Sequence, residues 1–196
     1  MFATIGLALW CWPRSGQRGF LLFAGIALAF MAARRLNNAI VAWTDLQDLS
    51  TYAWLASWMW VPAVAAWTLA WNRWCGRPWR SIDAAAIGLA LIGMAGALAE
   101  VTLVTRSCRI ASILLWVVIG IRIAREGPMR LLALATLASI TAGLFGGELL
   151  DPLGVPGIWF PFGIGVSRTQ YLYVLVIPLV ALVIARTIPS RDTAPR

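Results

Sequence analysis

Apolar stretches separated by breaks containing Arg, Gly and Pro recur at about residues 1–12, 19–33, 52–74, 84–105, 109–124, 129–150 and 170–187. A helix needs ~20 apolar residues to cross the ~30 Å hydrocarbon core of a bilayer. The third, fourth and sixth stretches meet that length. The first, second and fifth are short, although the second can lengthen through Trp43 and arginine side chains can snorkel to extend the fifth. The pattern predicts an all-α, polytopic membrane helix bundle of about seven transmembrane helices, or six if one short stretch does not span. Residues 1–187 then form a single multi-pass transmembrane domain and residues 188–196 a short cytoplasmic tail.

The arginines set the expected orientation. With the N-terminus outside, inner loops and tail carry Arg14, Arg18, Arg73, Arg77, Arg80, Arg122, Arg125, Arg130, Arg186, Arg191 and Arg196, and outer loops carry Arg34, Arg35, Arg106, Arg109 and Arg168. Eleven against five favours N-out and C-in by the positive-inside rule, in the cell (inner) membrane where such a chain is expected. Asp45, Asp48, Glu148 and Asp151 fall on the outer side.

Composition agrees with a bilayer as solvent: 61% of the 196 residues are hydrophobic, 12% are charged, and the mean hydropathy is +0.80. The net charge of +8 does not point to nucleic acid, because the basic residues stand in ones and twos at the ends of apolar runs. All 16 basic residues are Arg. Without Lys there is no retinal or pyridoxal Schiff base. Without His there is no haem-ligating imidazole, His-dependent triad or imidazole proton shuttle. Cys11, Cys75 and Cys108 are isolated and read as apolar fillers. The reading expects no metal, no cofactor and no enzymatic activity, since no catalytic motif is present.

In the third stretch, Trp54 and Trp58 at one end and Trp67, Trp71 and Trp74 at the other are spaced to serve as two interfacial aromatic belts. Pro62 and Pro178 lie midway along the third and last stretches and are expected to kink them. Gly93, Gly96 and Ala97 give the fourth helix a smooth packing face, and Glu100 continues that face. A carboxylate there should turn into the bundle or lie near the headgroups. With Arg34, Arg35, Asn37, Asn38, Arg106, Arg109, Glu148 and Asp151 it forms an expected outer vestibule. That vestibule either binds a small polar ligand or is a salt-bridge network joining helix ends. Residues 151–168 read as an interfacial loop anchored by Trp159, Phe160 and Phe162. The candidate ligand-binding residues are Glu100, Arg34, Arg35, Trp58 and Trp159. Candidate partner contacts on the inner loops are Arg73, Arg77, Arg80, Arg122 and Arg125.

The run from Gly157 through Tyr171, one last apolar helix and a basic exit resemble the end of the multi-pass N-terminal sensing region of bacterial membrane histidine kinases and metal-dependent serine/threonine phosphatases. The resemblance implies a sensing or anchoring region without its output domain, acting through a separate protein partner or by self-association. The expected function is therefore a sensor-like or scaffolding membrane module. The alternative is the small-solute-binding component of an uptake transporter, similar to the substrate-binding subunits of energy-coupling vitamin transporters. There Trp43, Trp54, Trp58 and Trp159 would stack on a flat ligand and Glu100 or Arg34 would orient it. Carboxylate pairs such as Asp45 with Asp48, the last resort for an intramembrane enzyme, sit in no recognisable motif.

Overall fold

A computed structural model describes residues 1–43, 49–156, 158–159 and 166–188; within these, the side chains at 38–39, 41–43, 49–54, 56–57, 159 and 166–171 are not described. The helices are α1 (Phe2–Cys11), α2 (Arg18–Trp43), α3 (Leu49–Trp74), α4 (Arg80–Leu98), α5 (Thr102–Glu126), α6 (Arg130–Leu144), α7 (Gly146–Leu150) and α8 (Arg168–Ala185). A two-residue antiparallel ladder pairs β1 (Ile158–Trp159) with β2 (Val166–Ser167). The chain is all-helical apart from that ladder and short 3-10 turns. Three helices among the described residues are long and apolar enough to cross a membrane: Arg18–Asn37, Arg80–Leu98 and Thr102–Glu126. The count reaches four if α6 and the α7 segment, bent 92° apart, make one broken span.

The expected seven spans are thus not supported. At ten residues, α1 rises only ~15 Å, half of what a crossing needs. The sixth stretch is not one helix, because it breaks at Phe145. Of the tail expected at 188–196, only Ile188 is described.

Two sets of contacts define the ends of the bundle. At one, which we call the basic end, Ser15 Oγ donates to the Thr187 carbonyl at 3.2 Å, Gln17 Nε2 to that of Trp74 at 3.4 Å, and Trp74 Nε1 to that of Pro128 at 3.1 Å. At the other, the vestibule end, Arg35 lies 4.4 Å over the Tyr173 ring and Arg109 4.4 Å over the Trp60 ring. Helices α2, α4 and α6 run from the basic end and α3, α5 and α8 return to it. Short connections between consecutive antiparallel helices account for this up-and-down order.

The core is aromatic. Trp67, Trp71 and Trp74 are buried to 1% exposure or less, where interfacial belts were expected. Their spacing of four and three residues puts them on one helical face, and that face packs on α2. The Trp67 and Trp71 rings stack at 6.2 Å, Trp71 meets Trp74 edge-on at 5.9 Å, and Phe20 of α2 sits against both of the latter. Pro62 and Pro178 are accommodated inside continuous helices. Outside the core, Leu91, Leu103, Leu114, Leu131 and Val174 are all more than 60% exposed. Water would penalise so much exposed apolar surface, and hydrocarbon would not.

Helices α4 and α5 approach most closely at Gly96. A Cβ there would stand 2.7 Å from Val104 Cγ1 and 3.0 Å from Val104 Cβ, so the glycine lets the backbones meet. Gly96→Ala is expected to lower stability by about 1–3 kcal/mol through overpacking, read as a lower Tm in detergent. Gly88→Ala, whose added methyl meets nothing within 4 Å, serves as the neutral control.

Candidate functional site

Between α3, α4 and α5, towards the vestibule end, lies a cavity of about 460 Å³. Its α4 wall is formed by Ala86, Ala90, Gly93, Gly96 and Ala97 at helical spacing, together with Leu89, and the five small residues leave the space open. Opposite stand Trp60, Val61 and Val64 of α3 and Cys108, Ser112 and Leu115 of α5. The lining hydroxyls are turned to their own helices: Thr68 donates to the Val64 carbonyl at 2.8 Å, Ser112 to that of Cys108 at 2.7 Å, and Thr105 to that of Thr102 at 2.9 Å. Thr68 also receives the Trp116 indole N–H at 2.8 Å.

Three charged residues complete the lining: Arg34, Arg109 and Glu100. Arg109 is held in place. The break between α6 and α7 leaves the Leu144 carbonyl without its helical donor, and Trp60 Nε1 at 2.9 Å and Arg109 Nη2 at 3.5 Å supply replacements. Arg109 Nε pairs with Glu148 Oε1, and Nη2 bonds Oε2 at 2.8 Å in a two-pronged ion pair. Phe145, fully buried at the break, meets Trp60 and Trp116 edge-on at 5.3 and 5.4 Å.

Among the described residues Arg34 has no comparable anchor: its Nε is buried without a hydrogen-bond partner. A buried guanidinium N–H left unpaired on a cavity wall is suited to receive an anion. Glu100 does not supply it, since it takes part in no hydrogen bond or ion pair of its side chain among the described residues.

Glu100 is also not on the packing face of α4, where the sequence reading put it. The helix stops at Leu98, and Glu100 follows in the left-handed conformation with φ 54° and an exposed side chain. Its N–H bonds the Ala97 carbonyl at 3.3 Å and the Val101 N–H bonds that of Gly96 at 2.9 Å, the two bonds of a Schellman stop. Extending the Gly93–Gly96 periodicity one more turn missed this stop because the position normally carries Gly. The remaining ligand candidates are dispersed. Arg35 stacks on Tyr173, Trp58 is half-buried but does not line the cavity, and the Trp159 side chain lies outside the description, as do those of Trp43, Trp54, Asn38 and Arg168. Asp45, Asp48, Phe160 and Phe162 fall outside the described residues.

The five inner-loop arginines divide into two groups. Arg122 is 4% exposed and bonds Asn72 Oδ1 at 2.7 Å, the Arg77 carbonyl, and Glu126 at 3.3 Å, with its guanidinium 4.5 Å over Trp79. Arg73 forms a double bond pair with Asp83, at 3.1 and 3.0 Å, and lies 4.3 Å over Phe23. Asn72 ties the two systems together by donating to Asp83 at 2.8 Å and to the Trp79 carbonyl at 2.9 Å. These two arginines clamp the α3–α4 turn onto α5 and offer a partner little. Arg77, Arg80 and Arg125 are exposed. Asp83 and Asn72 were not singled out from the sequence; only the position of Asp83 in the first turn of α4, where the helix dipole favours an acid, offered a signal. No group of three or more metal-ligating side chains occurs among the described residues.

The left-handed backbone at Glu100 carries a cost of about 1 kcal/mol for a residue with a Cβ. Glu100→Gly is expected to raise the Tm in detergent by relieving it; a fall in Tm would show that the carboxylate holds the helix ends together. Compared with protein-family models, curated proteins and solved structures, the chain matches none.

Proposed function

We propose that this chain is an integral membrane protein whose α3–α4–α5 cavity binds a small, largely apolar ligand with one anionic group, and that it acts as a sensor-like module through a separate partner. The observation that carries this reading is Arg34: a buried guanidinium N–H with no hydrogen-bond partner among the described residues, on the wall of a mainly apolar cavity. Ligand pockets combine just such an apolar lining with a few convergent polar groups. Glu100 and Thr102, exposed at the α4–α5 turn, mark the open side. The exposed Arg77, Arg80 and Arg125 at the opposite end are the surface left for a partner. The uptake reading uses the same cavity with an energising partner in place of a signalling one, but its stacking tryptophan would be Trp60, whose ring already carries Arg109.

Decanoate and decanol serve as matched probes, alike in chain length and different in charge. Decanoate should stabilise the purified protein against heat and decanol much less. Arg34→Gln should weaken the decanoate effect about tenfold while leaving the decanol effect unchanged. Equal effects of the two probes, or an unaltered response in Arg34→Gln, would defeat the reading.

The C-in orientation, with the basic end on the cytoplasmic side, belongs to the same proposal. It is supported by the segregation of Arg14, Arg18, Arg73, Arg77, Arg80, Arg122, Arg125, Arg130 and Arg186 to the basic end. In intact cells, a membrane-impermeant maleimide should label Val101→Cys at the vestibule end and spare Ser81→Cys at the basic end. The native thiols give little background: Cys11 and Cys108 are buried, and burial pushes the Cys75 thiol up, so its thiolate is scarce near neutral pH. The reverse labelling pattern would invert the topology.

A further inference from the structure

A second hollow lies at the basic end, in the cleft where the start of α6 meets the end of α8. It measures about 470 Å³ and is lined by Met129, Arg130, Leu131, Leu132, Leu182 and Arg186. Its character differs from that of the first cavity: apolar side chains face outward, with Leu131 86% and Leu182 45% exposed, and two arginines stand at its head. Neither Arg130 nor Arg186 takes part in a hydrogen bond or ion pair of its side chain among the described residues. The acids described at this end are already committed, Asp83 to Arg73 and Glu126 to Arg122.

The backbone adds to this positive charge. Met129 precedes α6 in the left-handed conformation, φ 45°, and offers no side-chain cap to the first turn of the helix. The first-turn N–H groups of α6, which begins at Arg130, thus have no side-chain cap, and an anion beside Arg130 gains from those groups and from the helix dipole. An apolar groove with two guanidiniums unpaired among the described residues and an uncapped helix start is the complement of an amphiphile with a negative head.

We propose that this cleft binds an anionic phospholipid, its phosphate held by Arg130, Arg186 and the start of α6, and one acyl chain lying along Leu131 and Leu182. The inference rests on the membrane reading but not on the Arg34 cavity. In the C-in orientation the basic end faces the inner leaflet, where anionic headgroups meet basic juxtamembrane clusters.

The experiment uses the full chain, first shown to stay with membranes after alkaline carbonate washing, then purified and stripped of lipid. Phosphatidylglycerol, phosphatidylcholine and free glycerol phosphate are added in mixed micelles, and retained lipid is read by native mass spectrometry alongside Tm. We expect phosphatidylglycerol to bind about tenfold tighter than phosphatidylcholine, and Arg130→Gln with Arg186→Gln to remove that preference. Arg125→Gln, an exposed basic-end arginine outside the cleft, should leave it intact, and the double substitution by Lys should retain most of it. Equal binding of both lipids, or a preference that survives the double Gln variant, overturns the proposal, as does glycerol phosphate matching the intact lipid. Should the double Gln variant fail to fold, loss of the preference in Leu182→Asp, which charges the acyl groove, is the supporting outcome and its persistence the overturning one. Release of the chain by carbonate would instead defeat the membrane reading itself.

Discussion

A buried donor gains from an acceptor within the protein, and in this chain four tryptophan indoles find theirs on a neighbouring helix or turn, while that of Trp71 finds none among the described residues. Helix α3 sends indole N–H groups to Met31 of α2, to the Leu144 carbonyl of α6 and to the Pro128 carbonyl before α6. A fourth, Trp116 of α5, points back to Thr68 of α3. In the membrane proposed for this chain, hydrocarbon would give the helices no hydrophobic reason to prefer one another over lipid, which leaves close ring packing and these cross-links to decide which helices meet. Helix α3 thus becomes the axis around which α2, α4, α5 and α6 are arranged, and its buried face is aromatic for that reason.

The break in α6 depends on the same arrangement. A helix that stops inside the bundle exposes carbonyls, and here Leu144 is answered by Trp60 and Arg109 from two different helices. Arg109 is in turn neutralised by Glu148 from the α7 segment beyond the break. One freed carbonyl therefore ties three helices together and fixes the wall of the neighbouring cavity. Across from it, α4 presents Ala and Gly, which pack tightly only where Gly96 meets Val104. The space left between bulky α3 and slender α4 is the cavity.

What could be read from the sequence followed from what each residue must do alone. Apolar runs located α1, α3 and α8 to within three residues but misplaced at least one end of α2, α4, α5 and α6 by six or more, and the arginine pattern separated the two ends as the contacts do. What could not be read depended on the neighbours. Trp67, Trp71 and Trp74 have the same spacing whether they face headgroups or α2, and only packing decides between the two. Glu100 lies on the extrapolated face of α4, but the Schellman stop ends that helix two residues earlier, and nothing but the left-handed turn reveals it. Arg73 and Arg122 look like free loop charges until Asp83 and Asn72 fold against them.

The contrast between the two ends separates structural charge from available charge. At the basic end, Arg73 and Arg122 are each matched to a carboxylate and further fixed by an aromatic ring. Such networks hold a turn in place, and once saturated they have no capacity for a ligand. At the vestibule end, Arg109 is matched in the same way by Glu148 and Trp60. Arg34 has a buried Nε–H with no hydrogen-bond partner among the described residues, on the wall of a space large enough for a small molecule. A buried donor left in that state costs stability, and under the proposed function a bound anion is what would return it.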